Sequence, residues 1–341
     1  MTRTSTDTPV TEQPIAIGRG ASRLRQSGLF GENSLQFVLL LVFLAAISIF
    51  FASFDSRFAT GNNVMTIISV SSVIGLVSLG QALTLIAGGF DLSVGGVVPL
   101  GGILFAILSN VGWPLLPAVL AVVTTGAAFG LVNGIIITRF KINPMIATLG
   151  MLSITGGFAL TISNGLQIPF DDIDAGVLAA RSFLNVNNHV WLLVVLSAVL
   201  FAVLRFSSYG RRIYAVGGNR EAARFAGIRT DAVTTSVYTL CAAFAALAGI
   251  ILASQLLTGS GTAGVNTNLQ SITAVILGGA TLSGGVGGVP GTLIGVLILG
   301  ALSNGMAILH VPSFYQTMAT GVVLLLAVGL SQLRVLRRRQ R

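Results

Sequence analysis

The sequence predicts an all-α polytopic membrane protein of about ten transmembrane helices, some broken or re-entrant, with the N-terminus and C-terminus cytoplasmic. Three observations carry this reading. Of 341 residues, 53% are hydrophobic and 9% are charged, whereas a soluble globular chain carries about 25% charged residues. The mean hydropathy is +0.90, so lipid rather than water must cover most of the surface. Long apolar runs recur along the chain, and short clusters of arginine separate alternate pairs of them.

Residues 1–35 are polar and rich in Thr and Ser, and read as a disordered cytoplasmic tail. The first apolar run, Phe37–Phe54, is too long for a signal-peptide core and reads as an uncleaved first span. A bilayer core needs about 20 apolar helical residues to cross it. Runs that reach or approach this length are 36–54, 64–87, 93–111, 114–138, 144–163, 189–206, 232–257, 268–284, 288–310 and 314–333. The transmembrane domain is therefore 36–333, with a long periplasmic loop at 164–188, a cytoplasmic loop at 205–231 and a basic cytoplasmic tail at 334–341.

Charge tests the count. With the N-terminus inside, 17 of the 19 basic residues fall on the inner side and only Arg57 and Arg181 outside; the acidic trio Asp171, Asp172 and Asp174 lies in the external loop. This is the positive-inside pattern, and one span more or fewer would scatter the downstream clusters. The net charge of +9 is thus a topological signal. No basic stripe with interleaved aromatics is present, so nucleic acid is not an expected partner. Lys, Arg, Glu and His are absent from the middle of every span, which argues against ion coupling through this chain.

Catalytic and cofactor motifs are missing. Leu282-Ser283-Gly284-Gly285 imitates a signature of ATP-binding cassettes. A nucleotidase also needs a GxxxxGK[ST] loop, however, and the sole lysine, Lys141, follows Phe140. The tetrapeptide reads instead as a break between two spans. His189 and His310 sit at outer membrane ends without a serine and carboxylate partner in sequence, no metal cluster is expected, and Cys241 reads as a buried small residue. The chain is expected to be neither an enzyme nor a holder of any cofactor.

Gly126, Gly130 and Gly134, and again Gly287, Gly291 and Gly295, recur every four residues and suit close helix packing. Asp91 lies in Ala87-Gly88-Gly89-Phe90-Asp91-Leu92-Ser93-Val94-Gly95, where it is expected to cap the next helix; Gly88 and Gly89 mark a helix break or gate. In the loop 205–231, Asn219 reads as an N-cap with Glu221 in the first turn. Ala222, Ala223, Phe225 and Ala226 follow as a short helix that Gly227 ends before Ile228. Such a segment, with Gly217 and Gly218 leading into it, suits docking into a groove on a soluble partner.

With these residues in place the chain resembles a known family: the permeases of bacterial ribose, xylose, arabinose and galactose ATP-binding cassette importers, within the branched-chain amino acid/sugar permease superfamily. The resemblance spans nearly all of 36–333. It rests on Gly80-Gln81 leading to Gly88 through Gly95, on Asn133-Gly134, and on Pro144 through Gly150. Further along it rests on Gly210-Arg211 through Ile228, on Gly278-Gly279 through Gly295, and on Asn304-Gly305. It implies a second permease copy, identical or not, around one path through the inner-membrane lipid. It also implies an ATPase subunit gripping Asn219–Ile228 as a coupling helix, and a periplasmic sugar-binding protein delivering a monosaccharide or related neutral sugar or polyol. Alternatives left open are a branched-chain amino acid or nucleoside permease of the same type and a stand-alone secondary transporter. Where the family carries an acidic Glu-Leu-Asp-Ala stretch, this chain has Asn268, Leu269, Gln270 and Ser271. Gln81, Asn133, Asn268 and Gln270 are the candidate contacts on the substrate path.

Overall fold

The structure is a computed structural model that describes residues 32–170 and 176–339. Most of the N-terminal tail, the acidic trio Asp171, Asp172 and Asp174, and the last two residues lie outside the described residues. The helices are α1 (Glu32–Phe54), α2 (Gly61–Ile86), α3 (Val94–Asn110), α4 (Leu115–Arg139), α5 (Pro144–Ile162) and α6 (Asn188–Phe206). They continue with α7 (Ser208–Gly218), α8 (Arg220–Phe225), α9 (Thr230–Leu256), α10 (Thr267–Leu277), α11 (Val289–Ile308) and α12 (Ser313–Arg339). Strands β1 (Ile168–Pro169) and β2 (Thr258–Gly259) form a short antiparallel pair.

Every apolar run carries a helix, and the fold is that of a multi-pass membrane protein. Among the described residues, seven helices are long and apolar enough to cross a bilayer, while α3, α10 and the apolar part of α12, Ser313–Gly329, are shorter. The run 268–284 is corrected most. Its helix is α10, only 11 residues or about 16 Å long, and the chain is irregular from Gly278 to Gly288. Gly279, Gly284 and Gly285 adopt positive φ, a conformation that ends a helix. The run 93–111 shrinks to the 17 residues of α3, because residues 87–93 are needed for a turn. Gly287 is likewise a loop residue (φ +145°) rather than part of a helical glycine stripe.

Two halves repeat one arrangement. In each, a long helix (α2, α9) is followed by an irregular stretch and a short helix (α3, α10), then by two more helices (α4 and α5, α11 and α12). The halves interlock: α9 packs on α3 and α4, while α2 packs on α10 and α11, and within the halves α3 meets α5 as α10 meets α12. The two long helices lie antiparallel. Ser69, near the start of α2, meets Gln255 near the end of α9, and Gly80 sits against Cys241.

Lipid tails are as apolar as leucine, so helices in a membrane are held by close packing rather than by expulsion of water. The α4–α9 seam follows this rule. A Cβ on Gly126 would come within 2.5 Å of the Ala246 methyl, one on Gly130 would strike the Tyr238 carbonyl, and one on Gly134 would lie 2.6 Å from Thr235 Cα. Gly291 and Gly295 pack in the same way on Gly278, just past the end of α10, and on Ala274 within it. Cys241 is buried and reduced at the α2 contact.

Candidate functional site: a polar helix break and a capped docking helix

The chain between α2 and α3 turns inside the bundle. Asp91 is fully buried. Its Oδ1 accepts from the Ser93 amide at 2.9 Å and from Ser93 Oγ at 2.5 Å; Ser93, not Asp91, is the N-cap residue of α3, so the carboxylate holds the turn ahead of the helix instead of capping it. Ser93 Oγ also accepts from Asn133 Nδ2 on α4 at 2.9 Å. With its amide turned so that nitrogen faces the Asp91 carbonyl and oxygen the Asp91 amide, Gln81 on α2 makes both bonds, at 3.1 and 3.0 Å. Tyr238 Oη on α9 donates to the Phe90 carbonyl at 3.3 Å. Side chains of α2 and α9 thus satisfy a backbone that has left its own helix, as an apolar surrounding demands, while α4 holds the Ser93 hydroxyl.

Two of the substrate-path candidates sit in this frame. Gln81 and Asn133 have no exposed surface, and their donors hold the break. Asn268 and Gln270 are half-buried at the start of α10, where a Cβ on Gly95 would come 3.1 Å from the Asn268 amide carbon. The beginnings of α3 and α10 therefore meet side by side. Gly88, beyond the polar break, is exposed, and Gly89 lies beneath Tyr238.

At the end of the bundle that carries Arg139, Arg205, Arg211 and Arg212, the segment 205–231 is mostly helical. Helix α7, where the sequence predicts loop, is capped by Ser207 Oγ accepting from the Gly210 amide at 3.0 Å. Asn219 then ends α7 and starts α8: its Oδ1 accepts from the Ala222 amide at 2.9 Å. Glu221 stands in the first turn of α8 and Arg224 in the last, each matched to the helix dipole. Gly227 closes the helix at φ +79°, with the Ile228 amide donating to the Ala223 carbonyl at 3.0 Å. The cap, short helix and glycine stop are those expected. Gly218, Asn219, Glu221, Ala222 and Gly227 are exposed, Ile228 is half-buried, and Ala223 is buried against the bundle. Phe225 projects with 92% of its surface free. Arg220 pairs with Asp231 at 2.9 Å and ties α8 to the start of α9. Beside α8 opens a groove lined by Tyr209, Arg211, Arg212, Ile228 and Arg229.

At the opposite end lies His189, whose place in the sequence suggests a lone interfacial residue. It is fully buried. Its Nε2 lies 2.9 Å from Ser69 Oγ and 3.1 Å from Gln255 Nε2, and its Nδ1 lies 3.0 Å from the Leu178 carbonyl. The proton on Nδ1 is the tautomer these partners require, since the Gln255 amide can only donate. The cluster joins α2, α6, α9 and the loop ahead of α6. No sequence spacing marks it, because its members come from four separate segments.

The chain is a multi-pass membrane bundle with a buried polar break, interlocked halves and a protruding capped helix. The chain belongs to the family described as branched-chain amino acid transport system / permease component, which matches residues 63–328. It is 37% identical to the ribose import permease protein RbsC of Escherichia coli strain K12, over 91% of this chain and 96% of that protein. It is 34% identical to the L-arabinose transport system permease protein AraH of the same strain, over 91% and 94%, and 37% identical to RbsC of Bacillus subtilis strain 168, over 79% and 84%. No solved structure matches the chain.

Proposed function

We propose that the chain is the permease subunit of an ATP-binding cassette importer, forming the path for a monosaccharide or a related neutral sugar or polyol across the bacterial inner membrane. The observation that carries the reading is α8, a six-residue helix fixed at both ends and presenting one exposed aromatic on the arginine-rich face. A rigid, desolvatable aromatic is the kind of residue that anchors a protein interface. In this reading α8 docks into a separate ATPase subunit, which supplies the driving force, and the permease itself performs no chemistry. A second permease copy, identical or different, completes the path, and a periplasmic binding protein delivers the sugar. Support for sugar as cargo comes from the names of the ribose and arabinose relatives.

The full topology is also proposed here: ten helices at membrane depth, with α3 and α10 spanning only part of it, and both termini cytoplasmic as the arginine distribution demands. Asn268 and Gln270, half-buried where α3 and α10 begin, are the polar groups best placed to meet a neutral solute.

The test is uptake into proteoliposomes of labelled ribose, arabinose, glycerol and leucine, with and without the ATPase partner and ATP. Sugar or polyol uptake that requires both supports the reading. Uptake of leucine alone, or full-rate uptake with no ATPase present, overturns it.

A further inference from the structure

Three chain breaks that are far apart in sequence meet backbone to backbone directly behind α8. The Gly285 amide, between α10 and α11, donates to the carbonyl of Ile86, the last residue of α2, at 2.8 Å. Tyr214 Oη on α7 donates to the Gly287 carbonyl at 2.8 Å. Gly217, near the end of α7, fills the remaining space: a Cβ there would strike the Ile86 carbonyl oxygen and lie 2.7 Å from the Gly285 amide nitrogen. A Cβ on Gly284 would lie 2.7 Å from Gly88 Cα and 2.8 Å from the Gly217 carbonyl oxygen. At Gly217, Gly284 and Gly285 the nearest atoms across the contact are all backbone.

We infer that Gly217 is the positioning residue that transmits displacement of α8 to the ends of α2 and α10. Side chains yield by changing rotamer, whereas backbone pressed on backbone has no such compliance, and packed interiors pass strain on rather than absorb it. Gly217 is separated from α8 by two residues, Gly218 and the capping Asn219. On its other side it touches the carbonyl that ends α2, a few residues before the break held around Asp91. A push or tilt of α8 therefore reaches the break after α2 and the loop after α10 together. This rests on the reading of α8 as the ATPase docking helix. It adds a route that would remain unspecified if that reading stood alone.

The test uses the complete importer in proteoliposomes, with labelled ribose and arabinose as probes and sugar moved per ATP hydrolysed as the readout. Gly217→Ala is expected to retain ATPase co-purification and hydrolysis while the ratio falls at least tenfold. Tyr214→Phe, which adds no atom and removes one hydrogen bond, is expected to lower it two- to fivefold. Gly157→Ala, where an added Cβ meets nothing within 4 Å, is expected to leave it unchanged. A Gly217→Ala ratio within twofold of the parent overturns the inference, as does an equal loss in Gly157→Ala. If Gly217→Ala fails to assemble, Tyr214→Phe decides: an unchanged ratio rejects the route and a lowered one upholds it. The docking reading fails separately, and visibly, if a Phe225 variant still co-purifies with the ATPase.

Discussion

Asn133 on α4 and Ser93 at the start of α3 are joined by a 2.9 Å hydrogen bond from Nδ2 to Oγ, and the same hydroxyl donates to Asp91. A residue that sequence alone suggests for a solute path is thereby part of the frame that allows a helix to break within the bundle. Four outcomes follow from this and the neighbouring contacts.

Asp91→Asn keeps an acceptor for Ser93 and should fold and transport at a reduced level. Asp91→Leu leaves the Ser93 amide and hydroxyl without their acceptor inside the bundle, at a cost of about 1–3 kcal/mol for each unsatisfied group. The melting midpoint of the detergent-solubilised protein should fall markedly for Leu and slightly for Asn. Equal midpoints would show that the carboxylate does not hold the turn.

Gly130→Leu drives a side chain into the Tyr238 carbonyl and the Ala242 methyl of α9. Overpacking of this kind costs about 1–3 kcal/mol or more, and the variant should be lost from the membrane fraction or melt early. Gly157→Leu, facing open space, should accumulate normally.

Phe225→Asp removes the one aromatic on α8 and places a charge where an interface would be dry. Truncation of an interface anchor costs about 2 kcal/mol or more, roughly a 30-fold loss of affinity. Pull-down of the ATPase subunit should fail at concentrations that suffice for the parent, with the permease still inserted. Bulky charged residues at the exposed Gly218, Ala222 or Gly227 should act in the same direction, most strongly at Gly227, where positive φ also disfavours any side chain.

His189→Phe keeps an aromatic ring but removes the ring nitrogens that meet Ser69 Oγ, Gln255 Nε2 and the Leu178 carbonyl, leaving that carbonyl only the residue 189 amide and Gln255 only the Ser69 carbonyl. The outer end of α6 should loosen, seen as faster proteolysis of the loop ahead of it, while His189→Gln, able to accept and donate, should recover part of the protection. Identical cleavage of all three proteins would remove the cluster's proposed structural role.

Composition and arginine placement determined the membrane class of this chain, the apolar runs on which its helices form, and the grammar of α8. These are local properties: a residue's hydropathy sets its solvent, and Asn219 caps whichever helix begins after it. The four-residue spacing of Gly126, Gly130 and Gly134 was legible as a packing face for the same reason, because helix periodicity alone puts those positions in one row. What lay across that face was not legible. That α9 covers it, that α2 and α9 exchange partners between two halves, and that α10 stops after 11 residues depend on which backbones can approach. Gln81, Asn133 and Tyr238 come from separate helices and Asp91 from the break between two, as His189, Ser69 and Gln255 come from three helices, and only their packing brings them within hydrogen-bonding distance. A buried polar group must find its partner wherever the fold supplies one, and that requirement is met in three dimensions rather than along the chain.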